Sequence, residues 1–174
     1  MAKPRITTLY GTLAVTSATA AGETDVFKAD STNKKSYTNC DNDNIVPFDI
    51  EVHGFSKRVI SPPDIVMTDI HLINRLIGAT VMANKDDYLL ENMPLEEIPE
   101  ANAPAGGIFR DQATPAAAFD TALRDGDGMF ALQSPWTLHK GDLLNMTLNV
   151  FAALSGITAS KTHLVRLILW AQTL

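Results

Sequence analysis

The segment DLLNMTLNV, residues 142–150, sets Leu144, Met146, Leu148 and Val150 on one parity and Asn145, Thr147 and Asn149 on the other. A period of two is the repeat of an extended backbone, so only a half-buried β-strand delivers all four apolar side chains to one core. Two more segments read the same way. In residues 5–16, Leu9, Leu13 and Val15 share a parity with Gly11, while Thr8, Tyr10, Thr12 and Thr16 take the other. In 45–53, Val46, Phe48, Ile50 and Val52 alternate with Pro47, Asp49, Glu51 and His53. Pro47 cannot donate to a ladder, which places it near that strand's start or on an edge.

The remaining elements follow from turn residues and shorter patterns. Gly54 marks a bulge or bend, and FSKRVI, 55–60, continues as strand. After Pro62-Pro63, the spacing of Ile70, Ile73 and Ile77 predicts a short helix over 69–77, with Thr68 as N-cap and Gly78 as stop. Residues 79–84 and 88–92 read as strands around a turn at Lys85-Asp86-Asp87. A strand at 129–134 precedes Pro135 and the turn His139-Lys140-Gly141-Asp142. The final THLVRLILWAQTL is apolar on both parities, as in a strand covered on both faces or lying at an interface. Residues 17–44 read as polar loop with a short strand at 26–28, and 94–115 as a long excursion with a strand at 108–110. The expectation is all-β: one domain over 1–174, a single jelly-roll sandwich of about eight antiparallel strands with one short helix.

Composition narrows the function. With 45% apolar and 20% charged residues, the chain has the make-up of a packed domain. Its formal charge of −6 argues against wrapping nucleic acid, which needs clustered Lys and Arg. Cys40 is the only cysteine, so an internal disulfide is impossible. No stretch of 18 apolar residues is present, and MAKPRITTLY has no apolar leader core; assembly in a cytoplasm is expected.

The search for chemistry finds no catalytic motif. GxSxG, Walker A, GxGxxG and HExxH are all missing. His53, His71, His139 and His163 show no two-histidine metal spacing and read as surface or strand-end residues. Asp41-Asn42-Asp43-Asn44 and Asp125-Gly126-Asp127-Gly128 offer oxygen ligands of the kind Ca²⁺ prefers. Neither reaches a Glu at the twelfth loop position, and the same residues build ordinary turns. Trp136 and Trp170 could stack on a sugar, but core or interface packing is the commoner use of tryptophan. The expectation is no catalytic residue, no metal and no cofactor.

The run MFALQSPWTLHKGDLLNMTLNV, with LYGTLAVT and DNDNIVPFDIEVHGF before it, resembles the small single-jelly-roll major capsid proteins of internal-membrane icosahedral viruses of bacteria and archaea, a sphaerolipovirus-like group. The resemblance rests on strand order, length and turn style. It implies a structural capsid protein of the virion that forms homo-oligomers, dimers or capsomers. It also implies a second, larger capsid protein as partner, contact with an internal viral membrane, and no direct nucleic-acid binding. Lys exceeds Arg and ten Asn are present, unlike a Thermus protein, and the acidity of a haloarchaeal one is lacking. Candidate assembly residues are Lys3 and Arg5 in the N-terminal arm; Met93, Leu95, Ile98, Ile108 and Phe109 in and beside the long excursion; and Trp136, Leu169 and Trp170. The alternatives are a carbohydrate- or receptor-binding jelly-roll module of a virion and a cupin-like metalloenzyme. The latter lacks the HxH pair usual in cupins.

Overall fold

In a computed structural model of the chain, residues 6–28, 38, 44–62, 66–101 and 128–174 are described. Their eight strands form two four-stranded antiparallel sheets, an all-β sandwich. They are β1 (Ile6–Val15), β2 (Gly22–Asp25), β3 (Ile50–Ile60), β4 (Ile77–Ala83), β5 (Asp87–Pro94), β6 (Phe130–Leu138), β7 (Leu144–Val150) and β8 (His163–Thr173). One helix, α1 (Met67–Leu76), leads into β4, and a 3-10 turn, Leu95–Glu97, follows β5. One sheet runs β1-β8-β3-β6 and the other β2-β7-β4-β5. The pairs are nested: β1 with β8, β2 with β7, β3 with β6, and β4 with β5, as if one long hairpin had been rolled up.

Alternation carries over into burial. Leu144, Met146, Leu148 and Val150 of β7 are buried, as are Val165, Leu167 and Leu169 of β8. These inner faces meet each other and Leu9, Val15, Ile50, Val52, Val81 and Leu138 in one core. Each such side chain removed from water contributes about 1.5–3 kcal/mol. β8 lies between β1 and β3, which explains its apolarity only in part: its outer residues Leu164, Ile168 and Trp170 remain half-buried.

Several boundaries differ from the sequence reading. The segment 45–53 is strand only from Ile50, and Phe48 is exposed rather than inward. Residues 26–28 are not strand; β2 ends at Asp25, and Val26 and Phe27 drop into the core beyond it. Helix α1 begins at Met67 with Val66, not Thr68, at its N-cap. It gives way to β4 at Ile77, so Gly78 lies within a strand and stops nothing. β6 runs on through Pro135 to Leu138, which its place at the sheet edge permits. Gly54 does mark a bulge. Val52 pairs with Trp136 and Gly54 with Ala131, so His53 stands opposite residues 132–135. Beyond the bulge the parity of β3 changes, and Phe55 and Lys57 face inward.

Two glycines permit close approach, with different consequences. A Cβ on Gly11 would overlap the backbone carbonyl of Val26, where the chain crosses β1. A Cβ on Gly78 would meet the tip of the exposed Phe151 ring, which can swing away. Gly11→Ala is therefore expected to cost about 1–3 kcal/mol. Gly78→Ala should stay within about 1 kcal/mol, helped by alanine's smaller backbone entropy loss. Thermal denaturation of the two variants checks the difference, and equal losses would contradict it.

Candidate functional site

At one end of the sandwich β3 finishes, β8 starts and α1 caps the opening. Three side chains meet there. Asp69, in the first turn of α1, places Oδ2 3.2 Å from Nε2 of His163, the first residue of β8. Nδ1 of His163 lies 2.9 Å from Oγ of Ser61, one residue past β3. The other oxygen of Asp69 accepts from the backbone N–H and hydroxyl of Thr158, both at 3.1 Å. His163 and Asp69 are buried and Ser61 is half-buried. A carboxylate accepts, so in the neutral-ring tautomer that fits this contact Nε2 bears the hydrogen towards Asp69, and Nδ1 is left to accept from the Ser61 hydroxyl.

The order carboxylate, imidazole, hydroxyl is that of a serine hydrolase. A hydrolase also needs donors aimed at a developing oxyanion beside its nucleophile. Among the described residues, the members of this relay come from the end of β3, the start of β8, the first turn of α1 and the β7–β8 loop. The relay ties those four elements together with every polar atom satisfied. His163 is the strand-end residue that the sequence reading allows, since it opens β8, but it is buried rather than at the surface.

A second feature lies on the outer face of the β1-β8-β3-β6 sheet. A depression of about 160 Å³ is lined by Tyr10, Arg58, Arg166, Ile168 and Trp170 among others. Arg166 sits 4.4 Å from the centre of the Tyr10 ring and donates from Nε to Thr12 Oγ1 at 2.9 Å. The Trp170 indole N–H donates to Ser56 at 2.7 Å, and that of Trp136 donates to Asp87 at 2.6 Å. Both tryptophans are half-buried with their polar edge engaged by the chain itself.

The assembly candidates divide three ways. Met93, Trp136 and Trp170 are half-buried and part of the surface. Leu95, Ile98 and Leu169 are wholly buried core residues, which corrects their selection as interface residues: a neighbour cannot reach them in the folded chain. Lys3, Arg5, Ile108 and Phe109 lie outside the described residues, as do Cys40, 41–43 and 125–127 of the two acidic runs. Asn44 of the first run bonds Asp25 and Asn145 at 2.6 and 2.8 Å. Among the described residues, no three His, Cys, Asp or Glu side chains come together as a metal-binding group. No helix among them is long and apolar enough to cross a membrane.

At the other end, the turn 139–142 forms as the sequence predicts. The backbone N–H of Asp142 donates to His139 O at 3.0 Å, and His139 N–H donates to Asp142 Oδ2 at 2.7 Å. Gly141 holds a φ of 96°, a conformation that favours glycine. The His139 backbone bond, then the Asn84 side chain, hold the Asp142 carboxyl below its ordinary value. A depressed carboxylate pKa stabilises the fold above the unfolded value and loses that contribution as pH falls through the folded one. An NMR titration should place the Asp142 midpoint below that of an unperturbed aspartate, and Asp142→Asn should flatten the acid limb of the stability profile. An Asp142 midpoint at or above the ordinary value would contradict the turn geometry.

Comparison with known proteins adds no relative: no family model matches the chain, and no curated protein is significantly similar to it.

Proposed function

We propose that the chain is a single jelly roll and serves as a self-assembling structural protein of an icosahedral virus shell. The observation that carries this reading is the nested order of the strands. Pairing first with last, second with seventh, third with sixth and fourth with fifth is the signature of a rolled hairpin, the architecture of capsid and lectin jelly rolls. The resemblance of 129–150 and the N-terminal segments to small capsid proteins points to the capsid branch. The indole N–H groups of Trp136 and Trp170 are occupied within the chain, so the lectin branch gains no specific support.

On this reading the work is geometric: a rigid sandwich presents surfaces that close a symmetric shell. A net charge of −6 favours contact with other subunits over contact with a genome. A larger second capsid protein and an internal membrane are the further partners proposed. The test is composition. The chain should be a major protein of purified icosahedral particles and should associate when concentrated. A chain that is absent from particles and stays monomeric at high concentration would overturn the reading.

A further inference from the structure

On the outer face of the β1-β8-β3-β6 sheet the strand register sets two like charges side by side. Arg166 of β8 stands directly opposite Arg58 of β3. Like charges at directly opposed positions destabilise a sheet, and an anion between them turns that cost into attraction. Both arginines line the same depression of about 160 Å³, together with Thr8, Tyr10, Ile168 and Trp170. No Asp or Glu is among its described lining residues.

The sheet shapes the site. Trp170, Ile168 and Arg166 follow at every second position of β8 and so share the outer face. Thr8, Tyr10 and Thr12 stand beside them on β1, and Gly54, Ser56 and Arg58 on β3. Arg166 reaches diagonally to Tyr10, with Cζ 4.4 Å from the ring centre, and its Nε–H donates to Thr12 at 2.9 Å. Those two contacts set the plane of the guanidinium before any ligand arrives. The Trp170 indole N–H donates to Ser56 at 2.7 Å, which carries the ring towards β3. Ile168, between Arg166 and Trp170 along β8, supplies an apolar patch. Two acids stand near this face. Glu51 lies 3.9 Å from His53, and Glu100, next to the lining residue Ala101, accepts from the Val59 N–H at 2.9 Å.

The donors select the ligand. A guanidinium offers a planar fork of N–H groups that matches phosphate and carboxylate oxygens. A carboxylate carries one charge and two oxygens, which a single fork satisfies. Two opposed guanidiniums match a phosphate monoester, with its charge of about −1.5 to −2 at pH 7 and three acceptor oxygens. Ile168 and the rings of Tyr10 and Trp170 give the organic part of the ester an apolar rest. Nucleic acid fits poorly, because two cations do not track a phosphate backbone and the chain carries a charge of −6.

We propose that this depression is a binding site for a phosphate monoester, with Arg58 and Arg166 clasping the phosphate between β3 and β8. The site stands apart from the shell reading, and the failure of either leaves the other untouched. Isothermal titration calorimetry of the full chain with phenyl phosphate tests it. The wild type should bind phenyl phosphate at least tenfold more tightly than benzoate. Arg58 is exposed, so Arg58→Gln should weaken binding at least tenfold with circular dichroism unchanged. Arg58→Lys, which keeps the charge and loses the fork, should fall between. In an NMR titration the Trp170 indole N–H signal should shift with phenyl phosphate, while that of Trp136, which is bonded to Asp87 outside the depression, should stay.

A wild type that does not bind phenyl phosphate at millimolar concentration would overturn the site. So would binding that is unchanged in Arg58→Gln, or benzoate bound as tightly. Vesicles distinguish the source of the phosphate. Phosphatidic acid in phosphatidylcholine vesicles presents a phosphate monoester at a surface. Flotation with these vesicles that is lost in Arg58→Gln would support a lipid headgroup as the ligand. Calorimetric binding without flotation would support a soluble ester.

Discussion

Asp69→Ala is expected to destabilise the chain by about 3–5 kcal/mol, the cost of breaking a buried polar pair by removing one partner. The carboxylate holds three groups: the His163 ring and both donors of Thr158. Without it, the buried imidazole loses its acceptor and the β7–β8 loop loses its anchor on α1. At roughly 2–4 °C per kcal/mol for a domain of this size, the melting temperature should fall by about 6–20 °C. Ser61→Ala should cost only about 1 kcal/mol, because Ser61 is half-buried and one neutral hydrogen bond is lost. If the relay acts as a unit, Asp69→Ala and His163→Ala together should cost clearly less than the sum of the two. Additive losses, or an Asp69→Ala variant as stable as the wild type, would show that the three groups do not cooperate.

The members of this relay were partly legible. His163 shares its parity with Val165, Leu167 and Leu169, so alternation alone aims it inward. Asp69 lies four residues before Ile73, on the face of α1 that enters the core. A polar residue at an apolar strand or helix position announces a buried partner, but it does not name one. The partners come from elements that are remote in sequence: 94 residues separate Asp69 from His163. Only the nested pairing, which puts β8 beside β3, brings them together. The same limit governs the assembly residues. An apolar residue in a loop reads alike whether it fills a core or faces a neighbour. Leu95 and Ile98 went to the core, whereas Tyr88 and Leu143, on a strand and in a turn, stayed outside. Strands with clean alternation, such as β7, were legible because one face of a sheet must be buried whatever its neighbours are. Strand ends were not, because they are set by where a partner stops.

Phe27 and Phe48 turn that limit into a measurement. Periodicity puts Phe48 on the inward parity with Ile50 and Val52, and leaves Phe27 in a polar stretch. In the fold Phe27 is fully buried and Phe48 is 40% exposed. The reversal has a local cause. Beyond β2, the Phe27 N–H donates to Asp25 Oδ1 at 3.0 Å, and Val26 N–H donates to Met146 O at 2.8 Å, so the chain turns into the core. Before β3, Val46 is tied to the 139–142 turn through both its N–H and its carbonyl, and residues 47–49 stand off the sheet as an irregular approach. Phe27→Ala should therefore cost about 3–5 kcal/mol, the range for emptying an aromatic site in a packed core. Phe48→Ala should cost less than about 1 kcal/mol when measured by urea denaturation at a dilution that keeps the chain monomeric. A Phe48→Ala variant that loses as much stability as Phe27→Ala would return Phe48 to the core.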